Sequence, residues 1–182
     1  MKLYPEKKPL NPITAQERAL VATALFIAFG VVGYVVAPPT PFLPITAIFY
    51  VMMLWNTFYS VNHFSSIVPA GDLGQMVTDV ALVLVYLLLA LSLWSIFYFD
   101  IILVILFALA TIKYTIALPK TEHPELLYRK LKMDGMGTIA SGLALVGIVL
   151  GYPFSSILAW TILFAMMSVY VILVRPLYQK PA

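Results

Sequence analysis

Residues 75–118 read QMVTDVALVLVYLLLALSLWSIFYFDIILVILFALATIKYTIAL, without a single glycine or proline. As one helix this stretch would be about 66 Å long at 1.5 Å per residue, twice the roughly 30 Å hydrocarbon core of a bilayer. A turn must therefore be hidden inside it. The best place is Trp94 to Asp100, where Trp94, Phe97, Tyr98 and Phe99 cluster as interfacial aromatics do. Asp100 is expected to cap the helix that follows.

The rest of the chain agrees with a membrane environment. It has 182 residues, 62% hydrophobic and 10% charged, against about 25% charged in a soluble domain. Mean hydropathy is +0.97. Six spans of roughly 20 residues consume nearly all of this length, leaving no room for a soluble domain. The fold class is all-α: a polytopic six-helix transmembrane bundle.

Working outward, residues 1–14 form a basic arm holding Lys2, Lys7, Lys8 and three prolines. The first apolar run after it has the length of a span, not of a signal-peptide core. Thr14-Ala15-Gln16-Glu17 matches a capping box. The first span is then predicted over residues 15–37, stopped by Pro38-Pro39, and the second over 41–66, stopped by Pro69-Ala70-Gly71. Asp72, with Gln75 three residues on, caps a third span over 73–95. The hidden turn leads to a fourth over 101–118. Residues 124–132, acidic first and basic last, read as a short interfacial helix that suits the helix dipole. The fifth and sixth spans are predicted over 134–150 and 154–174. The transmembrane domain thus covers 15–176, and 177–182 is a tail.

Six spans put Lys2, Lys7, Lys8, Arg18, Lys113, Lys120, Arg129, Lys130, Lys132, Arg175 and Lys180 on one side, and no basic residue on the other. Lys and Arg collect in cytoplasmic loops, so both termini are expected in the cytoplasm and the plasma membrane is the expected location. This topological account also explains the net charge of +3 without nucleic acid. The chain has no cysteine, which excludes thiol catalysis, disulfides and thiolate metal sites.

Polar groups inside spans are costly and usually face protein or a water-filled cavity. On the second span Asn56, Tyr59, Ser60, His63 and Ser66 recur at three- and four-residue spacing, one helical face. Asp79 lies in the third span on a face with Gln75 and Tyr86, and Lys113 near the end of the fourth. Asp134 opens the fifth, where a carboxylate complements the dipole. Under the six-span topology these residues belong to the inner half of the membrane. A buried pair of Asp79 with Lys113 is the preferred arrangement, and the group as a whole is a candidate polar path or pocket.

A separate pattern concerns packing. Gly137, Ser141, Ala144, Gly147 and Gly151 share a face of the fifth span, with Gly147 to Gly151 a GxxxG. Small residues let helices approach closely in lipid, and intrachain packing is the favoured use of this face.

No catalytic motif stands out. A bis-histidine haem needs paired histidines in spans, but His123 lies in a charged loop, and no HExxH occurs. No cofactor is expected, no metal site and no nucleic acid. The expected partners are the bilayer and either a second copy or other membrane subunits. Two functions fit: a small transport protein, channel or carrier, or a non-catalytic accessory or scaffold subunit of a larger membrane complex.

Overall fold

The computed structural model describes residues 14–65, 67 and 73–174, the last by its backbone alone. The basic arm, Ser66, Asp72 and its cap, the Pro69-Ala70-Gly71 break and the tail lie outside the described residues. Among the described residues there are six α-helices: α1 (Ala15–Val36), α2 (Leu43–Phe64), α3 (Leu73–Leu91), α4 (Ile96–Ala117), α5 (Pro124–Val149) and α6 (Pro153–Val169). All six are long and apolar enough to cross a membrane, α4 with the 3-10 turn Leu118–Lys120 and α6 with the π turn that follows it. The chain is an all-helical, multi-pass membrane bundle.

The start of α1 follows from the capping box. The Glu17 amide donates to Thr14 Oγ1 at 3.2 Å, and the Thr14 amide donates to Glu17 Oε2 at 2.7 Å. Pro44, Pro124 and Pro153 sit in the opening positions of α2, α5 and α6, where a missing N–H costs nothing.

The hidden turn is real but lies earlier than expected. Helix α3 ends at Leu91 and α4 begins at Ile96, so the boundaries at 95 and 101 are corrected. Ser95, not Asp100, caps α4, its Oγ accepting from the Tyr98 amide. Without glycine or proline, the turn is held by hydroxyls. Ser92 Oγ donates to the Leu89 carbonyl at 2.8 Å, while Thr46 and Thr40 donate to the Leu93 and Trp94 carbonyls at 2.6 and 3.1 Å. Carbonyls that a tight turn leaves unpaired are thus met from the neighbouring α2 end.

The predicted interfacial helix over 124–132 is not a separate element. It forms the first turns of one continuous helix, α5, which runs through Asp134 without a break. The reason is burial. Leu126 and Leu127 pack with Phe64, Ile67, Tyr114 and Ala117 in a small second core that holds this charged segment against the bundle.

Round the bundle each helix touches the next in the order α1, α2, α6, α5, α4, α3 and back to α1. The middle of this ring is filled with aromatic side chains, not left as a pore. Phe49 lies against Phe99, Trp160 and Phe164 at centroid distances of 5.9, 5.7 and 4.8 Å. Phe107 meets Trp160 and Phe164 at 6.1 Å each. Such pairs contribute dispersion beyond simple burial, the main cohesive force between helices in lipid.

Close backbone approach depends on particular glycines. A Cβ at Gly33 would overlap the Ala90 backbone, so α1 and α3 can meet only because Gly33 has none. On α5, Gly137 seats the Phe107 ring, Ser141 and Ala144 are buried, and Gly147 lies against Ser156 of α6. The predicted face is therefore used between α5 and its neighbours in the same chain. Gly151 is the exception: it has φ +91° in the turn before α6, with open space where a Cβ would be. Its glycine serves the turn and not the packing face.

Candidate functional site

The polar stripe on α2 does not act as one surface. Ser60, buried at 7% exposure, bonds through Oγ to the Tyr114 hydroxyl of α4 at 3.1 Å. Thr57, which the stripe had not included, hydrogen-bonds to the Tyr86 hydroxyl of α3. Asn56 instead borders a small pocket of about 90 Å³ between α2, α4, α5 and α6, shared with Lys130, Asp134 and Trp160. Tyr59 packs its ring on Trp55 and Phe58, and His63 stands edge-on to Phe64 at 5.1 Å.

What unites the other predicted residues is a cleft of about 670 Å³ formed by α1, α2, α3 and the end of α4. Ser60, Asp79, Tyr86 and Lys113 line it; Asn56, Tyr59, His63 and Asp134 do not. The Lys113 ammonium pairs with the Asp79 carboxylate across α3 and α4. This pair was expected to be buried, but Asp79 keeps 55% of its side chain exposed and Lys113 20%. The reason is its place on the cleft wall. Gln75, one turn earlier on α3, donates to the Lys113 carbonyl at 3.0 Å and ties the two helices together beside the pair.

Phe26 and Tyr86, each 5% exposed, are the deepest-lying aromatics of the cleft wall. Phe26 of α1 stacks on Tyr86 with ring centroids 4.1 Å apart and planes at 11°. Tyr50 donates to the Phe26 carbonyl at 2.7 Å, and Thr57 fixes the Tyr86 hydroxyl. Arg18, Ala22 and Phe26 follow one another at four-residue steps down α1 and form its wall. Arg18 stands at the start of that helix, so the wall runs about 12 Å from mouth to plug.

Asp134 belongs to a different centre. It does not open a helix, as expected, but lies mid-helix in α5, buried, with its Oδ1 2.5 Å from the Lys130 ammonium. Tyr114 stands between the two charged sites. Its ring centroid is 5.9 Å from Lys113 Nζ and 5.5 Å from Lys130 Nζ, within cation–π range of both.

Sequence reasoning missed Arg18, Thr57, Tyr114 and Lys130. For Arg18 the four-residue steps through Ala22 to Phe26 were visible, and Thr57 lies one turn before Ser60. Nothing in the chain indicated that Tyr114 would link Ser60 with two lysines. No family model, curated protein or solved structure matches the chain.

Proposed function

We propose that the chain is a small membrane transport protein working as a carrier. The observation that supports this is a cleft with Arg18, Asp79 and Lys113 toward the helix ends and mainly apolar side chains deeper in, where Phe26 stacks on Tyr86. A channel needs a continuous polar route, whereas a carrier binds at a site open to one side at a time. In this reading Asp79 and Lys113 set the charge near the mouth and Ser60 and Tyr86 line the pocket. The bundle's aromatic centre provides the closed half.

The described basic residues Arg18, Lys113, Lys120, Arg129, Lys130 and Lys132 gather at the start of α1, the end of α4 and the start of α5. That asymmetry favours a cleft facing the cytoplasm, with cytoplasmic termini in the plasma membrane. The absence of cysteine allows a clean test. A single Val83→Cys in the cleft wall should react with an impermeant maleimide from one side only at rest, and from both sides during turnover. Proteoliposomes tested with a panel of ions and small solutes should show flux above empty vesicles. Labelling that never changes sides, together with no flux, rules the carrier out.

An accessory or scaffold subunit is the second reading, and a different observation favours it. Between α1 and α2 lies a groove of about 630 Å³ lined almost wholly by apolar side chains, among them Ile27, Val31, Val51 and Phe58. Such a groove suits a helix of a partner subunit or of a second copy. Native purification that always brings a stoichiometric membrane partner would favour it.

A further inference from the structure

We propose that the cleft binds a single-tailed amphiphile with an anionic headgroup, a carboxylate or a phosphate. This rests on the reading of the cleft as the carrier's binding site and names what it takes.

The charge balance at the mouth points to the sign. Arg18 and Lys113 bring two positive charges and Asp79 one negative. Lys113 is matched by Asp79, whereas Arg18 makes no ion pair among the described residues. One guanidinium is left over at the edge of the site, a planar donor fork suited to a carboxylate or phosphate. The Lys113 ammonium has three N–H donors and gives one to Asp79, so it too has donors to spare.

Below the mouth the chemistry changes. The walls toward the plug are Phe26, Val80, Leu82 and Val83, with the hydroxyls of Thr57 and Tyr86; Ser60, Ser65, Gln75 and Tyr114 stand nearer the mouth. The Thr57 and Tyr86 hydroxyls already engage each other, as do those of Ser60 and Tyr114. A polar solute filling this depth would lose its water and gain little in return. A hydrocarbon tail loses nothing there. Ala22 and Phe26 continue from Arg18 on the same face of α1, about 12 Å from mouth to plug, so head and tail are collinear. The volume of about 670 Å³ is that of a site for one ligand of intermediate size.

The test uses the purified full-length chain in detergent, titrated by native mass spectrometry. The probes are oleate, oleoyl lysophosphatidate, neutral monoolein and inorganic phosphate alone. Both anionic amphiphiles should bind one per chain, about ten-fold or more tighter than monoolein, the scale of one charge-assisted contact. Arg18→Gln, an exposed substitution that leaves the fold intact, should remove that preference while sparing monoolein. Val83→Trp, which fills the cleft, should weaken all three lipids. The tighter of the two anions identifies the headgroup. Phosphate alone binding as tightly as the lysophosphatidate makes this a free-anion site and overturns the proposal. Equal binding of monoolein, or no effect of Arg18→Gln, overturns it as well. Binding without flux of the same lipid in proteoliposomes would remove the carrier reading and leave this site standing. Flux of another solute with no amphiphile binding would do the reverse.

Discussion

Lys130 and Asp134 form an ion pair one turn apart on α5, with Nζ 2.5 Å from Oδ1, and the two residues are only 6% and 3% exposed. The pair sits where the sequence suggests the break between an interfacial helix and the fifth span. It lies inside α5, which runs from Pro124 to Val149 as one helix. On the far side of the Tyr114 ring, the Asp79–Lys113 pair joins α3 to α4 at the cleft wall. The two pairs have the same chemistry in different surroundings, so their removal should have different consequences.

Breaking the sealed pair should be costly. Lys130→Met or Asp134→Leu alone leaves an uncompensated charge in a dry site and should destabilise the protein by about 3–5 kcal/mol. The double variant Lys130→Met/Asp134→Leu should recover most of that loss, since it removes both desolvated charges. Thermal unfolding of the four proteins in one detergent checks this. Additive losses in the double variant would mean that the pair is not the unit of stability.

The cleft pair should behave otherwise. Asp79 is more than half exposed, so the coupling between Asp79→Asn and Lys113→Met should be about 1 kcal/mol or less in the same assay. The effect of Asp79→Asn should instead appear in binding. With its counter-ion gone, Lys113 joins Arg18 in attracting anions, and oleate affinity should rise. A fall in affinity would contradict the assigned roles.

How far these features were legible depends on the distance over which they are decided. The turn between α3 and α4 followed from length alone, because no helix of residues 75–118 fits a bilayer. Its position did not, since Ser95 is the cap and the free carbonyls of Leu93 and Trp94 are met by Thr46 and Thr40 from about fifty residues away. The stripe on α2 was legible as a pattern. At 100° per residue, however, Asn56, Tyr59, Ser60 and His63 spread over about 100° of helix surface, wide enough to meet different neighbours. Which residue faces which neighbour is decided by packing. The Asp79–Lys113 pair could be anticipated because two opposite charges in adjacent spans at similar depth have few other partners. Lys130 could not, because its counter-ion and its burial depend on a core made with Phe64 and Tyr114.

Asp100 carries a prediction of its own. It is fully buried on α4, and neither carboxylate oxygen has a hydrogen-bond partner among the described residues. A polar group left in that condition costs about 1–3 kcal/mol even on scales calibrated in proteins. Asp100→Leu should therefore raise the midpoint of thermal unfolding, and Asp100→Asn should raise it less, because its amide remains unpaired. If the stabilised variant loses flux in proteoliposomes, the residue is retained for activity. A fall in midpoint for both variants would show that the carboxylate contributes to the fold.

The contact between α1 and α3 gives the sharpest steric test. Gly33→Ala places a methyl group on the Ala90 backbone, which cannot move aside as a flexible side chain could. Separating the helices to make room should cost about 1–3 kcal/mol, as overpacking does elsewhere. Gly142→Ala on α5 is the matched control, because its Cβ meets open space. That substitution should be neutral or stabilising by up to about 1 kcal/mol, the helix-propensity difference between the two residues. The close approach of α1 to α3 also fixes where Phe26 meets Tyr86, so Gly33→Ala should loosen the plug of the cleft. With a single Leu89→Cys, fully buried one turn beyond Tyr86 on α3, maleimide labelling should be faster in the Gly33→Ala background than without it. An unchanged labelling rate alongside a lowered midpoint would separate the helix contact from the closure of the cleft.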